Sequence, residues 1–535
     1  GDSTTVGLSQ ISTTGIVAVA PPISNAVFSV TINVNYLTLT GNGLSALARV
    51  NIINHTAGSF SLTANKYILS GSFYNAVYIG PLLSTNLLKL QVVGEIANSS
   101  NFLFSEGGAD VDIGVLAISV FTPLDDSEGF LISSSAGTNG ITGVVRGVFM
   151  QGSGSMFHII NDGRFTGQID LAFLFSGTGH ILFLENNAGF SGSINSALVD
   201  FGDIINYQSA GDINMTFNSL NSQNSLAGFD LSGTGRVYLT GQTINYGTVP
   251  NGLVFNVFRP QVYVDVQFLN INQCDYIVYA DDVSRIDINF DRIYANLVEA
   301  AGVYATSTSV VNLIGNDLQF GSVVPACNVF ESKIQAILSV KIESINLNDV
   351  NYIAFSDTIS TLTLTYDRLN VSGSSVILFY GTDLSVMNVY GNISNINLNG
   401  GSSYAIQTIT ASSFTGRFGL FNVFTIDGGI SVSDASTVNI TFQTLNTQNE
   451  NLFVNTTNEV WVKADRWITN DTSNVIMSTT TASGNVVTVG GYMTNNGSAY
   501  NIEYTATAAA NPMRLLSSIL VSTTNSIFSP VAAPN

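Results

Sequence analysis

The chain has 535 residues with 16 Lys and Arg against 36 Asp and Glu, a formal charge of −20, and only a tenth of its residues are charged. That balance argues against nucleic acid as a partner. Apolar runs such as residues 113–121 fall well short of the roughly 18 to 20 residues a spanning helix needs, so no membrane span is expected.

Residues 1–30 are rich in Ser and Thr, contain Pro21 and Pro22, and carry no repeat, so they are expected to form an N-terminal cap or entry segment. The chain opens on Gly rather than Met, as expected of a processed or trimmed product. From residue 31 one pattern recurs. Ile32, Val34 and Tyr36 alternate with Asn33 and Asn35, followed by Leu39. Ile213, Met215 and Phe217 alternate with Asn214 and Thr216, followed by Leu220. Further copies begin at Val237, Val264, Ile286, Val311, Val340, Leu362, Val438 and Val460. Alternation of period two marks a half-buried strand. Each interval holds a second apolar run, such as Tyr276–Ala280, Tyr352–Phe355 or Val376–Tyr380, with Asn, Gly and Ser at the bends between.

Two strands and a return inside about 24 residues leave no room for a crossover helix. The period points to a solenoid, and its strand content to a single-stranded, right-handed parallel β-helix, an all-β fold. Its coils extend over 31–508, less regularly before about 210. Residues 509–535 are a C-terminal cap or docking tail. Equivalent residues then stack about 4.8 Å apart. Phe217, Phe268, Phe290, Tyr366 and Phe442 are expected to form one internal ladder, with Gly241, Gly315, Ser344 and Ala464 as smaller steps. Leu220, Ile244, Ile271, Ile293, Leu318, Leu347, Leu369 and Leu445 form a second, continued by Trp467.

The same register gives an outward column of Asn214, Tyr238, Asp265, Asp287, Asn312, Lys341, Thr363 and Asn439. Asp265 and Asp287 would stack about 5 Å apart with Asp291 nearby, a spacing that suits a retaining glycosidase. The competing possibility is a solvated strand whose Asp residues pair with Arg285 and Arg292. Outward aromatics beside polar neighbours, Tyr238, Trp461 and Trp467, suit sugar stacking or a subunit contact. In the acidic stretch at 106–128, Asp110, Asp112, Asp125 and Asp126 are candidate Ca²⁺ ligands, although the closing Glu of a calcium loop is missing. No other cofactor is indicated. His55, His158 and His180 are too scattered for a zinc site to be read from spacing. Cys274 and Cys327, two coils apart, are expected to be buried thiols beyond disulfide reach.

The two-run coil with its Phe and Ile/Leu ladders, clearest from Ile213 to about Ala508, resembles the right-handed parallel β-helix (pectate-lyase-like) superfamily, which includes phage tailspikes, virion-surface proteins and adhesins. Lyase members pair an Arg or Lys base with calcium-binding Asp residues on one face. In the outward column here Lys341 stands two coils beyond Asp287, which departs from that arrangement. Short, even bends and an Asn/Ser/Thr exterior point to a non-catalytic structural or adhesive protein. It would be extracellular or on a virion surface, homo-oligomeric as a trimer or a stacked assembly, and in contact with other surface or virion proteins and a host glycan. A tailspike-like polysaccharide depolymerase using the surface carboxylates is the alternative.

Overall fold

In the computed structural model, side chains are described for residues 101–115, 128–133, 140–175, 178–247, 252–321, 327–373, 377–397, 405–424, 430–446 and 461–466, and backbone strands beyond these. The chain is an all-β parallel β-solenoid, and its strands pair in register with the equivalent strands of the next coil. It divides into two units, Gly1–Gln267 and Phe268–Asn535.

From Ala109 to Phe258 each coil of the first unit carries a long and a short strand. The long strands Ala109–Ser119, Ile141–Gln151, Arg164–Phe175, Gly189–Asp200, Ile213–Gln223 and Arg236–Gly247 form one sheet. The short strands Glu128–Ser134, Phe157–Asn161, His180–Asn186, Asp203–Ser209, Ala227–Leu231 and Leu253–Phe258 form the other. Alternation in sequence becomes alternation in burial: in Ile213–Gln223, Ile213, Met215 and Phe217 are inward and Asn214, Thr216 and Asn218 are exposed. Burying an aliphatic or aromatic side chain of this size contributes about 1.5–3 kcal/mol. The coils between 109 and 209 are as regular as the later ones.

In the second unit the inner ladder reads Phe290, Gly315, Ile342, Tyr366, Gly391, Phe418, Phe442 and Ala464. Large and small residues interlock along it. The Phe290 ring occupies the space above Gly315, where a Cβ would lie 2.3 Å from the ring, and Tyr366 covers Gly391 in the same way. The second ladder reads Ile293, Leu318, Ile345, Leu369, Ser394, Phe421 and Leu445, and Trp467 continues its backbone register. Outside it runs an asparagine ladder: Asn370 donates to Asn346 at 2.8 Å, Asn395 to Asn370 at 2.9 Å and Asn422 to Asn395 at 2.8 Å.

Four residues expected in these ladders stand elsewhere. Phe268 is 40% exposed while Val266 points inward. Ile342, not Ser344, is the step between Gly315 and Tyr366, and Ile345, not Leu347, joins Leu318 to Leu369. Ile271 is buried, but Leu269, two residues earlier, follows Val262, Val264 and Val266 with the spacing by which Ile293 follows Ile286, Ile288 and Phe290. Each displacement is two residues. Parallel pairing also enters both segments expected to cap the coil: Ser3–Thr14 pairs with Ser29–Asn42, and Arg514–Ser522 with Val486–Asn495.

Among the described residues of the second unit, six successive bends that lead from one sheet to the next long strand share one shape. Ser307 and Thr308, Ile334 and Gln335, Thr358 and Ile359, Asp383 and Leu384, Thr410 and Ala411, and Asp434 and Ala435 all have φ between 48° and 66°. Left-handed backbone is costly for β-branched residues such as Ile334 and Ile359. Amide-to-carbonyl bonds between successive corners hold it in place, among them Ile359 to Asp383 at 2.8 Å and Ala411 to Asp434 at 2.7 Å. Beneath the corners Ser309, Ser360, Ser385, Ser412 and Ser436 are buried, and Ser360 donates to the Ser332 carbonyl at 2.8 Å. Between Asn328 and Val438 the count from short strand to next long strand is constant: Asn328 to Leu338, Tyr352 to Leu362, Ile377 to Met387, Tyr404 to Phe414 and Gly428 to Val438 are each ten residues apart, and in the coil that follows Leu452 and Val460, their equivalents, are eight apart.

Candidate functional site

On the outer face of the long-strand sheet of the first unit lies a shallow groove of about 610 Å³. Its floor comes from an unusual column. Where Val111 and Met215 bury a side chain, the three intervening coils place Gly143, Gly167 and Gly192. A Cβ on Gly167 would lie 1.9 Å from the Gly143 carbonyl oxygen, and one on Gly192 equally close to that of Gly167. Only glycine tolerates so close an approach, and the surface sinks along the column. The walls are uncharged: Val144, Gln168 and Ser193 on one side, with Ser191, Asn214 and Thr216 completing the lining.

Several residues singled out from sequence border this groove. Tyr238 follows Asn214 in the outward column and stacks on Tyr263, with ring centroids 4.9 Å apart and planes within 8°. The column therefore passes to Tyr263, not to Asp265, which lies two residues further along its strand and is exposed. At the other end Asp110 and Asp112 precede Thr142 and Val144 in register. Asp112 is ion-paired with Arg146, and burial of that pair is slight. The Arg146 guanidinium is held above its ordinary value by the hydrogen bond and charge of Asp112. Asp110 accepts from Thr142 at 3.4 Å. Asp125 and Asp126 lie outside the described residues. Among the described residues, no group of three or more His, Cys, Asp or Glu side chains could hold a metal ion.

In the second unit Asp287 accepts from Arg285 Nε at 2.9 Å and from Asn312 Nδ2 at 2.5 Å, and Asp291 accepts from Asn316 at 3.3 Å. Lys341 pairs with Ile314 and Thr365, two residues past the column that holds Asp287, Asn312, Ser339 and Thr363. The expected column is thus split by the two-residue slip that displaced Phe268 and Leu347. Trp461 is outward and 47% exposed, next to Asn439 in register. The Trp467 side chain lies outside the described residues. Cys274 and Cys327 are both buried thiols, and burial, reinforced by the nearby Cys327, raises Cys274 well above its ordinary 9.0.

Two further clusters are not apparent from the sequence. On the short-strand sheet of the first unit, His158 lies between two carboxylates, Nδ1 3.1 Å from Glu128 and Nε2 2.9 Å from Glu185, and stacks on Phe183 at 4.5 Å. His180 packs against the same Phe183 at 5.3 Å and sits 3.2 Å from Asp203. Coil-sized separations hid this cluster. Its signal was a charged residue inside an apolar run, as in Ile181–Glu185.

On the short-strand sheet of the second unit, Tyr279 stacks on Tyr304 at 5.2 Å and Phe355 on Tyr380 at 5.3 Å. Between the stacks the Lys333 ammonium lies 5.5 Å from the Tyr304 ring and 5.2 Å from that of Phe355, paired with Glu331 at 2.5 Å. Burial, aided by the charge of Glu331, pushes Tyr276 beside them up to about 12. These aromatics sit in the second apolar runs, where sequence pattern alone does not say which residues face outward.

Among the described residues, no helix is long and apolar enough to cross a membrane. Compared with protein-family models, curated proteins and solved structures, the chain matches none.

Proposed function

We propose that the chain is a non-catalytic structural or adhesive protein, exposed on a virus particle or cell surface, whose stacked coils serve as a stiff spacer and whose groove meets a glycan. The observation that carries this reading is the groove itself: uncharged hydroxyl and amide walls over a glycine floor, with the Tyr238–Tyr263 stack next in line. Such groups hydrogen-bond sugar hydroxyls without supplying a proton donor or nucleophile. Of the carboxylates a hydrolase would use, Asp287 is engaged by Arg285 and Asn312 and Asp291 by Asn316, and Asp265 does not share the column of Asp287. Self-association as a trimer or an end-to-end stack, and contact with other surface or virion proteins, belong to the same proposal.

The test is binding of the full chain to an array of neutral and acidic glycans, with polysaccharide turnover followed in parallel. Retention of a glycan that is lost in Asn214→Ala and Tyr238→Ala, with no turnover, is the expected result. Release of oligosaccharides that stops in Asp265→Asn or Asp287→Asn would replace the reading with a depolymerase. Light scattering over a range of concentrations gives the oligomeric state.

A further inference from the structure

The His158 cluster is built more tightly than a solvated surface pair. Both ring nitrogens are within hydrogen-bond distance of carboxylate oxygens, and the three residues come from three successive coils. An ionised carboxylate only accepts, and a neutral imidazole has one N–H to give. Both contacts are hydrogen bonds only when the ring carries two protons.

We propose that His158 is a proton-dependent clasp: as imidazolium it ties the strands Glu128–Ser134, Phe157–Asn161 and His180–Asn186 together, and loss of its proton releases Glu185. The two partners are unequal. Glu128 is 8% exposed, and its second oxygen accepts the Ser155 amide at 3.1 Å, so it keeps the remaining N–H. Glu185, 37% exposed, turns to water. The clasp lies on the short-strand sheet and does not depend on the groove or on any glycan.

The groups facing the ring are few. Glu128 faces it from one neighbouring strand. Glu185 faces it from the other, where His180 with its partner Asp203 lies against the shared Phe183 ring. No other titratable residue lies on Phe157–Asn161 itself. Burial of the ring lowers its proton affinity, but the hydrogen bonds and charges of Glu128 and Glu185 outweigh that and hold it above the ordinary 6.5. A group whose folded value is raised contributes stability that is fully present below the unfolded value and is lost as pH rises through the folded one. The clasp is closed below about pH 6.5 and opens on the alkaline side.

The full chain, with its imidazoles labelled with nitrogen-15, gives the protonation of His158 directly, and hydrogen exchange followed by mass spectrometry reports the local opening. With intrinsic rates corrected for pH, protection of amides in 180–186 should fall about tenfold as the ring titrates, the loss expected when one charge-assisted contact is released. Glu185→Gln removes the half-exposed carboxylate at nearly unchanged size. It should lower the pH at which His158 titrates and abolish the exchange step, and His158→Gln should abolish the step as well. A His158 ring that loses its second proton below the ordinary 6.5 in the parent chain, or an unchanged step in Glu185→Gln, overturns the proposal.

Discussion

The interlocked ladder of the second unit gives a sharp test at Gly391. Its backbone is not in the left-handed region, so any cost of adding a methyl group there is steric. A Cβ would stand 2.3 Å from Cε2 and Cζ of Tyr366 and 2.5 Å from its hydroxyl oxygen. The ring cannot swing aside without breaking its 2.7 Å hydrogen bond to Ser394, a fully buried hydroxyl. Overpacking of this kind costs about 1–3 kcal/mol, and Gly391→Ala should fall in the upper half of that range. Tyr366→Phe keeps the clashing ring carbons and forfeits only the hydrogen bond, about 1–3 kcal/mol when the partner stays buried. Gly391→Ala should therefore remain costly in the Tyr366→Phe background. In Tyr366→Val, itself destabilised by about 3 kcal/mol or more, the methyl group has room and the added cost should vanish. Guanidinium unfolding of the single and double variants, with hydrogen exchange to localise the loss to the coils Thr361–Gly373 and Val386–Leu398, closes the cycle. A coupling below about 0.5 kcal/mol would show that ring and glycine are not interlocked.

Three other outcomes are expected. Asn370→Leu breaks the asparagine ladder at a residue that both donates and accepts, and should lower stability by about 1–2 kcal/mol, read from guanidinium unfolding. Cys274 should resist alkylation at mildly alkaline pH in the folded chain and react only after denaturation, because burial holds the thiol in its protonated form; rapid native labelling by intact mass would contradict this. Lys333→Ala leaves Glu331, 6% exposed, without its ammonium and uncovers the Tyr304 and Phe355 rings, and should lower thermal stability by about 2 kcal/mol or more, whereas removing an exposed lysine such as Lys463 should cost under about 1 kcal/mol.

The sequence disclosed the fold because alternation of apolar and polar residues at a coil-sized interval suits few architectures besides a solenoid of strands. It did not disclose the columns with equal fidelity. A shift of one residue turns a strand inside out and is plain in the pattern, while a shift of two keeps every side chain on its own face. Starting copies at Val264 and Val340 rather than Val262 and Leu338 satisfied the hydrophobic pattern and moved Asp265 and Lys341 into a column they do not occupy. The expected catalytic pair rested on that register. The groove was hidden for another reason: Gly143, Gly167 and Gly192 interrupt the apolar alternation and made the repeat look loose where its pairing is regular. His158 and its carboxylates sit at different strand positions, so no column of like residues announces them.

The fixed interval across the left-handed corners has a consequence for how such a chain can change. All the variation in coil length between Ile286 and Val438 falls on the connection leading from long strand to short strand, since the return through the corner is the same each time. Over those coils one rim is a ruler and the other is a display edge. Across these coils, lineages descending from this chain should differ by insertions along the display edge, and a foreign peptide grafted there should be carried without loss of register, while one extra residue at one of these corners would break the stacked left-handed bends.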